Sequence, residues 1–210
     1  MPNQNGKLYG LTFLAPIIDD KKATPSHDLQ IRAYLATLPT DQNSPFAKAP
    51  STHLCRLVVM DDVVFVGHPA HEEHLKSKYL IFETNCDSDA TDYLTGLAKT
   101  IPQQLDAIWS HCVGYPGAAN LSEFLSYMKA CQLKTTFFFA AVNDKSLPES
   151  LRALATQRAV VDFIADHQGM DPGRLQSEFK QFLAELKACP IPEPGAMAPL
   201  RNIKTGGRNE

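Results

Sequence analysis

Thr52-His53-Leu54-Cys55-Arg56-Leu57-Val58-Val59-Met60 and Lys78-Tyr79-Leu80-Ile81-Phe82-Glu83-Thr84-Asn85-Cys86-Asp87 decide the fold. Both runs are dominated by β-branched, aliphatic and aromatic residues, a strand composition. Each carries one charge in its interior, Arg56 in the first and Glu83 in the second. A buried charge is costly unless paired, so strands that carry them line a cavity or hold one another in place. Taken as an antiparallel pair with Arg56 opposite Glu83, the register sets Leu54 against Asn85, Val58 against Ile81 and Met60 against Tyr79. The two-residue side-chain period then gathers Leu54, Arg56, Val58, Met60, Tyr79, Ile81, Glu83 and Asn85 on one face. His53, Cys55, Leu57, Val59, Leu80, Phe82 and Thr84 share the other. On that register Arg56 and Glu83 form a cross-strand ion pair, either in a ligand pocket lined by apolar residues or as a structural pair near the strand ends or at a dimer contact.

Upstream, Leu8 to Ile18 reads as a further strand, with Pro16 near its end. Pro25-Ser26 opens a helix bearing Leu29, Ile31, Ala33, Leu35 and Leu38, with Ser26 as N-cap and Pro39 as stop. Asp41 to Pro50 reads as loop. Val63 to Val66 reads as an extension of the Thr52–Met60 strand, and the polar run from Gly67 to His74 connects it to the next. Downstream, Asp87-Ser88-Asp89 caps a helix over 90–99; Pro102 begins another turn of helix, and Leu121 to Cys131 repeats apolar residues at helical spacing. Thr135 to Val142 reads as the last strand. Two helices follow, over 147–167 and 172–188, the second capped by Asp171 ahead of Pro172. The order is the β-α-β-β-α-β signature of a ferredoxin-like α+β unit. We therefore expect one domain over 1–188 and a flexible Pro/Gly-rich tail over 189–210. Helices cover one face of such a sheet and the other face needs a cover too, so a homodimer is the expected assembly.

Composition bounds the function. The chain has 210 residues, 20% charged, with a net charge of -3, which argues against nucleic acid and anionic membranes as partners. Five cysteines, scattered and without a CxxC, fit reduced thiols in a cytoplasmic protein better than a disulfide framework or a zinc site. No signal-peptide pattern stands at the N-terminus and no apolar run reaches the length of a membrane span.

Beyond the strand pair, Trp109-Ser110-His111-Cys112-Val113-Gly114-Tyr115-Pro116-Gly117 concentrates aromatic and imidazole groups beside a turn. A neutral ring nitrogen of His111 can ligate a metal or haem iron, or shuttle a proton. Cys112 serves as a nucleophile only if a neighbouring base lowers its pKa. His68, His71 and His74 recur every third residue, a weak transition-metal pattern. None of the common dinucleotide, P-loop, zincin or nucleophile-elbow motifs is present.

Ser51-Thr52-His53-Leu54-Cys55-Arg56, Leu80 to Asp87 and Ile108-Trp109-Ser110-His111-Cys112-Val113-Gly114-Tyr115-Pro116 together resemble uncharacterised bacterial members of the dimeric α/β-barrel group. That group includes dye-decolourising peroxidases and chlorite dismutases, and the resemblance covers roughly Leu8 to Val142. It implies a ferredoxin-like sheet packed against a partner's sheet, and in some branches haem. The peroxidase branch pairs a haem-ligating histidine with a distal acid and an arginine, which makes His111 and Arg56 candidates by residue type. The acidic distal motif of that branch has no counterpart here.

The resulting expectation is a small-molecule or haem pocket on the sheet face, with Arg56, Glu83, Asn85, His111 and Tyr115 as its residues. If the protein is an enzyme, peroxidase-like oxidoreductase chemistry follows, with His111 as ligand or proton shuttle and Arg56 stabilising a bound anion. The competing reading is a non-catalytic ligand-binding or protein-interaction module.

Overall fold

In the computed structural model the described residues are 2–49, 51–69 and 71–196. The chain divides into two compact units, Met1–Leu147 and Pro148–Glu210, where one domain over 1–188 was expected.

The first unit is built on a four-stranded antiparallel sheet: β1 (Gln4–Asn5), β2 (Leu8–Pro16), β3 (Thr52–Met60) and β4 (Tyr79–Cys86), in the order β1-β2-β4-β3. The β3–β4 register is the expected one, with Arg56 opposite Glu83, Leu54 opposite Asn85, Val58 opposite Ile81 and Met60 opposite Tyr79. On β4 the burial alternates strictly: Leu80, Phe82, Thr84 and Cys86 are buried, and Tyr79, Ile81, Glu83 and Asn85 are half-buried. Leu11, Phe13 and Ala15 of β2 are buried with them.

Helices α1 (His27–Thr37), α3 (Ala90–Thr100), α4 (Pro102–Trp109) and α5 (Leu121–Cys131), with the single turn α2 (Pro45–Lys48), accompany this sheet. Tyr93, Leu94, Leu97, Leu105, Ile108, Trp109, Phe124 and Met128 recur at helical spacing and bring the apolar stripes of α3, α4 and α5 into one core with the buried strand residues. Trp109 meets Phe82 edge-on, with ring centroids 5.5 Å apart. The polar Thr84 enters this core because its hydroxyl reaches the Tyr93 hydroxyl at 3.0 Å, which lies 2.9 Å from the Thr52 hydroxyl. Asp89 caps α3, accepting from the backbone N–H of Thr91 and Asp92. Ser26 stands at the N-cap position of α1 but makes no capping bond; its hydroxyl donates to Asp28 Oδ1 at 2.6 Å instead.

Two expected strand segments are absent. Val63 to Val66 is irregular, and its side chains are exposed. Thr135 to Val142 forms no strand either, because the edge of β2 that it would pair with is already occupied piecewise. β1 pairs with Leu8 and Tyr9, Leu133 N–H donates to Thr12 O, and Val113 N–H donates to Pro16 O. Phe138 still reaches this region: a Cβ built on Gly10 would lie 2.6 Å from its ring, so the absence of a side chain at position 10 admits it.

The second unit contains α6 (Leu147–Asp166), whose first residue closes the first unit, and α7 (Pro172–Ala188), close to the expected spans. Asp171 caps α7 through the N–H groups of Gly173 and Arg174. Phe163 stacks on Phe182 and on His167, with centroids 4.6 and 4.0 Å away. Residues 189–196 form neither helix nor strand, and 197–210 of the expected tail lie outside the described residues.

Candidate functional site

The sheet has two unlike faces. One is the core face described above. The other carries Leu54, Arg56, Val58 and Met60 of β3 beside Tyr79, Ile81, Glu83 and Asn85 of β4, the grouping that the two-residue period predicts. Leu54 is 57% exposed and Val58 39%, high values for aliphatic residues in the middle of a nine-residue strand. Arg56 and Glu83 lie directly opposite one another on this face; the guanidinium donates from Nε at 2.8 Å and from Nη2, both to Glu83 Oε2. The pair is exposed, the arginine side chain more so than the glutamate (66% against 34%), and an ion pair in that setting contributes only about 0–1 kcal/mol to stability.

His111 and Tyr115 do not join this group. Both lie in the segment between α4 and α5, which meets the edge of the sheet beyond β2. The His111 carbonyl accepts from Ile18 N–H, and its ring Nδ1 lies 2.9 Å from Nδ1 of His27, the first residue of α1. The ring centroids are 5.2 Å apart, the spacing of a nearly linear N–H···N bond between rings in complementary tautomers. Burial, helped by the neighbouring His27, holds the His111 pKa below the usual histidine value. The Tyr115 hydroxyl donates to Asp106 Oδ1 at 2.8 Å, which also accepts from Ala118 N–H, so Tyr115 fastens the turn to α4. Burial and then the Asp106 carboxylate raise its pKa. A haem held by His111 with Arg56 as its distal group requires both at one plate. Within this chain His111 is engaged with His27 and Arg56 with Glu83.

Three of the cysteines are unsuited to nucleophilic work. Burial pushes the thiols of Cys55 up to about 11 and those of Cys86 and Cys112 to about 12, which keeps all three protonated at neutral pH. His74 accompanies Asp62 at 2.7 Å, and His68 faces the Phe65 ring. Among the described residues no three His, Cys, Asp or Glu side chains converge as a metal site.

The structure also assembles two groups that strand and helix periodicity do not single out. The register slips between Thr52 and Leu54, leaving His53 as the extra residue of a bulge. The preceding Ser51 has φ 61°, in the left-handed region. Thus re-aimed, His53 Nε2 meets Asp87 Oδ1 at 2.6 Å, and the other Asp87 oxygen accepts Leu147 N–H at 2.8 Å. At the far end of the same strands, Lys78 bridges Asp28 Oδ2 (2.6 Å) and Asp61 Oδ1 (3.2 Å), and Arg32 holds Asp61 at 2.6 Å. This network borders a cleft of about 240 Å³ lined by Ile17, Asp19, Ser26, Asp28, Asp61 and Lys78, among others. Burial pushes the Asp28 pKa up, but Lys78 and Ser26 together outweigh it and hold the carboxyl below its ordinary value. Both groups are internally satisfied: each ring or cation already has a carboxylate, and each carboxylate a donor. Sequence signals were present (a histidine before an alternating strand, a lysine at the head of another), but the partners lie 34 and 50 residues away.

Among the described residues, no helix is long and apolar enough to cross a membrane. No protein-family model, no curated protein and no solved structure matches the chain.

Proposed function

We propose that the protein is a non-catalytic interaction module that works through the open face of its sheet, and that the partner on that face is a second copy of the chain. The observation that carries this reading is the exposure of Leu54 and Val58 at the centre of β3, on the face opposite the core. The two flank Arg56 on one face of the strand, and large apolar side chains exposed together on a sheet mark an association surface. A ferredoxin-like arrangement underlies the proposal and has support in the three long strands: the third (β4) lies between the first (β2) and the second (β3), all antiparallel. The fourth strand of that arrangement is the part this chain replaces, with β1 and the contacts of residues 132–143 along the outer edge of β2. Arg56, Glu83 and Asn85 then belong to the interface rather than to a catalytic centre.

The test is a sedimentation-velocity concentration series on the wild type and on Leu54→Asp. The expected result is a reversible or stable dimer for the wild type and a folded monomer for the variant, with unchanged circular dichroism. A wild type that stays monomeric to the highest concentration reached, or a Leu54→Asp protein that dimerises as before, would overturn the reading.

A further inference from the structure

The face opposite the core is covered at the Leu8–Gly10 end of β2, where Phe138 lies over Gly10; its open part carries no charged side chain from β2 (Thr12, Leu14 and Pro16 have this parity), one cation from β3 and one anion from β4. Arg56 and Glu83 neutralise each other, yet the pair is geometrically incomplete. Nε and Nη2 both end on Oε2; among the described residues no donor reaches Glu83 Oε1, and Arg56 Nη1 has no acceptor. Water serves those two groups while the face is open. Covering the face removes that water, and a carboxylate oxygen buried without a donor opposes association. A second copy is the one partner certain to bring the missing groups in the right number, because a two-fold axis sets the same pair against itself with the signs reversed.

We propose that Arg56 and Glu83 key the register of the self-association, Arg56 Nη1 of each copy donating to Glu83 Oε1 of the other so that two half-satisfied pairs close into one four-membered ring of charges. This inference rests on the open face being the dimer surface. The apolar neighbours Leu54, Val58 and Ile81 provide non-directional attraction, which leaves the sliding position of one sheet on another unspecified. The charges specify it, since displacement by two residues along the strands, about 6.7 Å, would set the free valences against Val58 and Ile81. Arg56 suits the role because its planar fork can bind carboxylates on both sides at once, which a lysine cannot do with fixed geometry.

The experiment uses the full chain in three forms besides wild type: Arg56→Glu, Glu83→Arg and the double exchange. Arg56→Glu confronts four carboxylates across the interface and Glu83→Arg four guanidinium groups, so each alone is expected to lose at least tenfold in dimer affinity by analytical ultracentrifugation. Mixed in equal amounts, the two are expected to form a heterodimer, resolved by native mass spectrometry, and the double exchange is expected to dimerise like the wild type. Circular dichroism verifies folding; should a charge reversal unfold, Arg56→Ala and Glu83→Gln replace it, each expected to weaken the dimer without rescue on mixing. If wild type dimerises and Leu54→Asp does not, while the reversed variants still self-associate or fail to find each other, the key is wrong and the open-face dimer stands. A monomeric wild type overturns both.

Discussion

Gly10→Ala tests the packing of the sheet at one atom. Gly10 pairs with Asn85 in the β2–β4 ladder, and Phe138 crosses directly over it. A methyl group there would lie 2.6 Å from Cδ2 and Cε2 of the Phe138 ring and 3.1 Å from Cγ. Carbon atoms in contact settle at about 3.5–4.0 Å, so the ring must retreat by roughly 1 Å or swing away. Overpacking of that size costs about 1–3 kcal/mol. Against it stands the conformational gain of alanine over glycine inside a strand, about 0.5–1 kcal/mol. The net expectation is a destabilisation of about 1–2 kcal/mol. In a Phe138→Ala background the clash is gone and only the strand gain remains, so the same substitution becomes neutral or stabilising. Urea unfolding followed by Trp109 fluorescence is the assay, because this single tryptophan is buried in the core of the first unit. The four proteins form a double-mutant cycle with a coupling of about 1–3 kcal/mol. If Gly10→Ala costs the same with and without the Phe138 ring, the account of this contact is wrong.

Lys78→Met removes the cation from the nearly buried Asp28. The wild-type carboxyl, held below its ordinary pKa, contributes stability above the unfolded carboxylate range and loses it as pH falls through the folded value. The variant is expected to be about 1–3 kcal/mol less stable at neutral pH, to approach the wild type in acid, and to show Asp28 titrating above the normal range by NMR; equal stabilities at neutral pH refute this. Asp87→Ala breaks the bonds to His53 and to Leu147 N–H together, with an expected loss of about 1–3 kcal/mol in chemical denaturation. His53→Ala alone should cost less, and the reverse order argues against Asp87 as the hub. On the interaction-module reading, titration with haemin is expected to give no Soret band that depends on His111. A saturable band lost in His111→Ala would restore the haem reading.

The β3–β4 pair was legible in the sequence because alternation has a period of two and a charge on each strand sets the phase: Arg56 against Glu83 fixed the ladder from Leu54–Asn85 to Met60–Tyr79, as far as the bulge at His53. The helices were legible because their apolar stripes and their caps, Asp89 and Asp171, are local signals. Thr135 to Val142 misled because its composition is that of a strand, while strand formation needs a free edge. That edge of β2 was taken by β1 and by the turns at His111–Val113 and Gln132–Leu133. Ser26 misled in a smaller way, its hydroxyl being drawn to the Asp28 carboxylate rather than to a backbone N–H.

The candidate site divides along the same line. By itself the sequence determined which residues of β3 and β4 share a face and that Arg56 and Glu83 pair across it, since both follow from backbone periodicity. Only the tertiary structure decided that His111 and Tyr115 are held by His27 and Asp106. It alone joined His53 to Asp87 through a bulge and Lys78 to Asp28 across the cleft. The physical reason is range: hydrophobic period and capping act over a few residues, whereas a side chain's partner depends on where distant segments are packed.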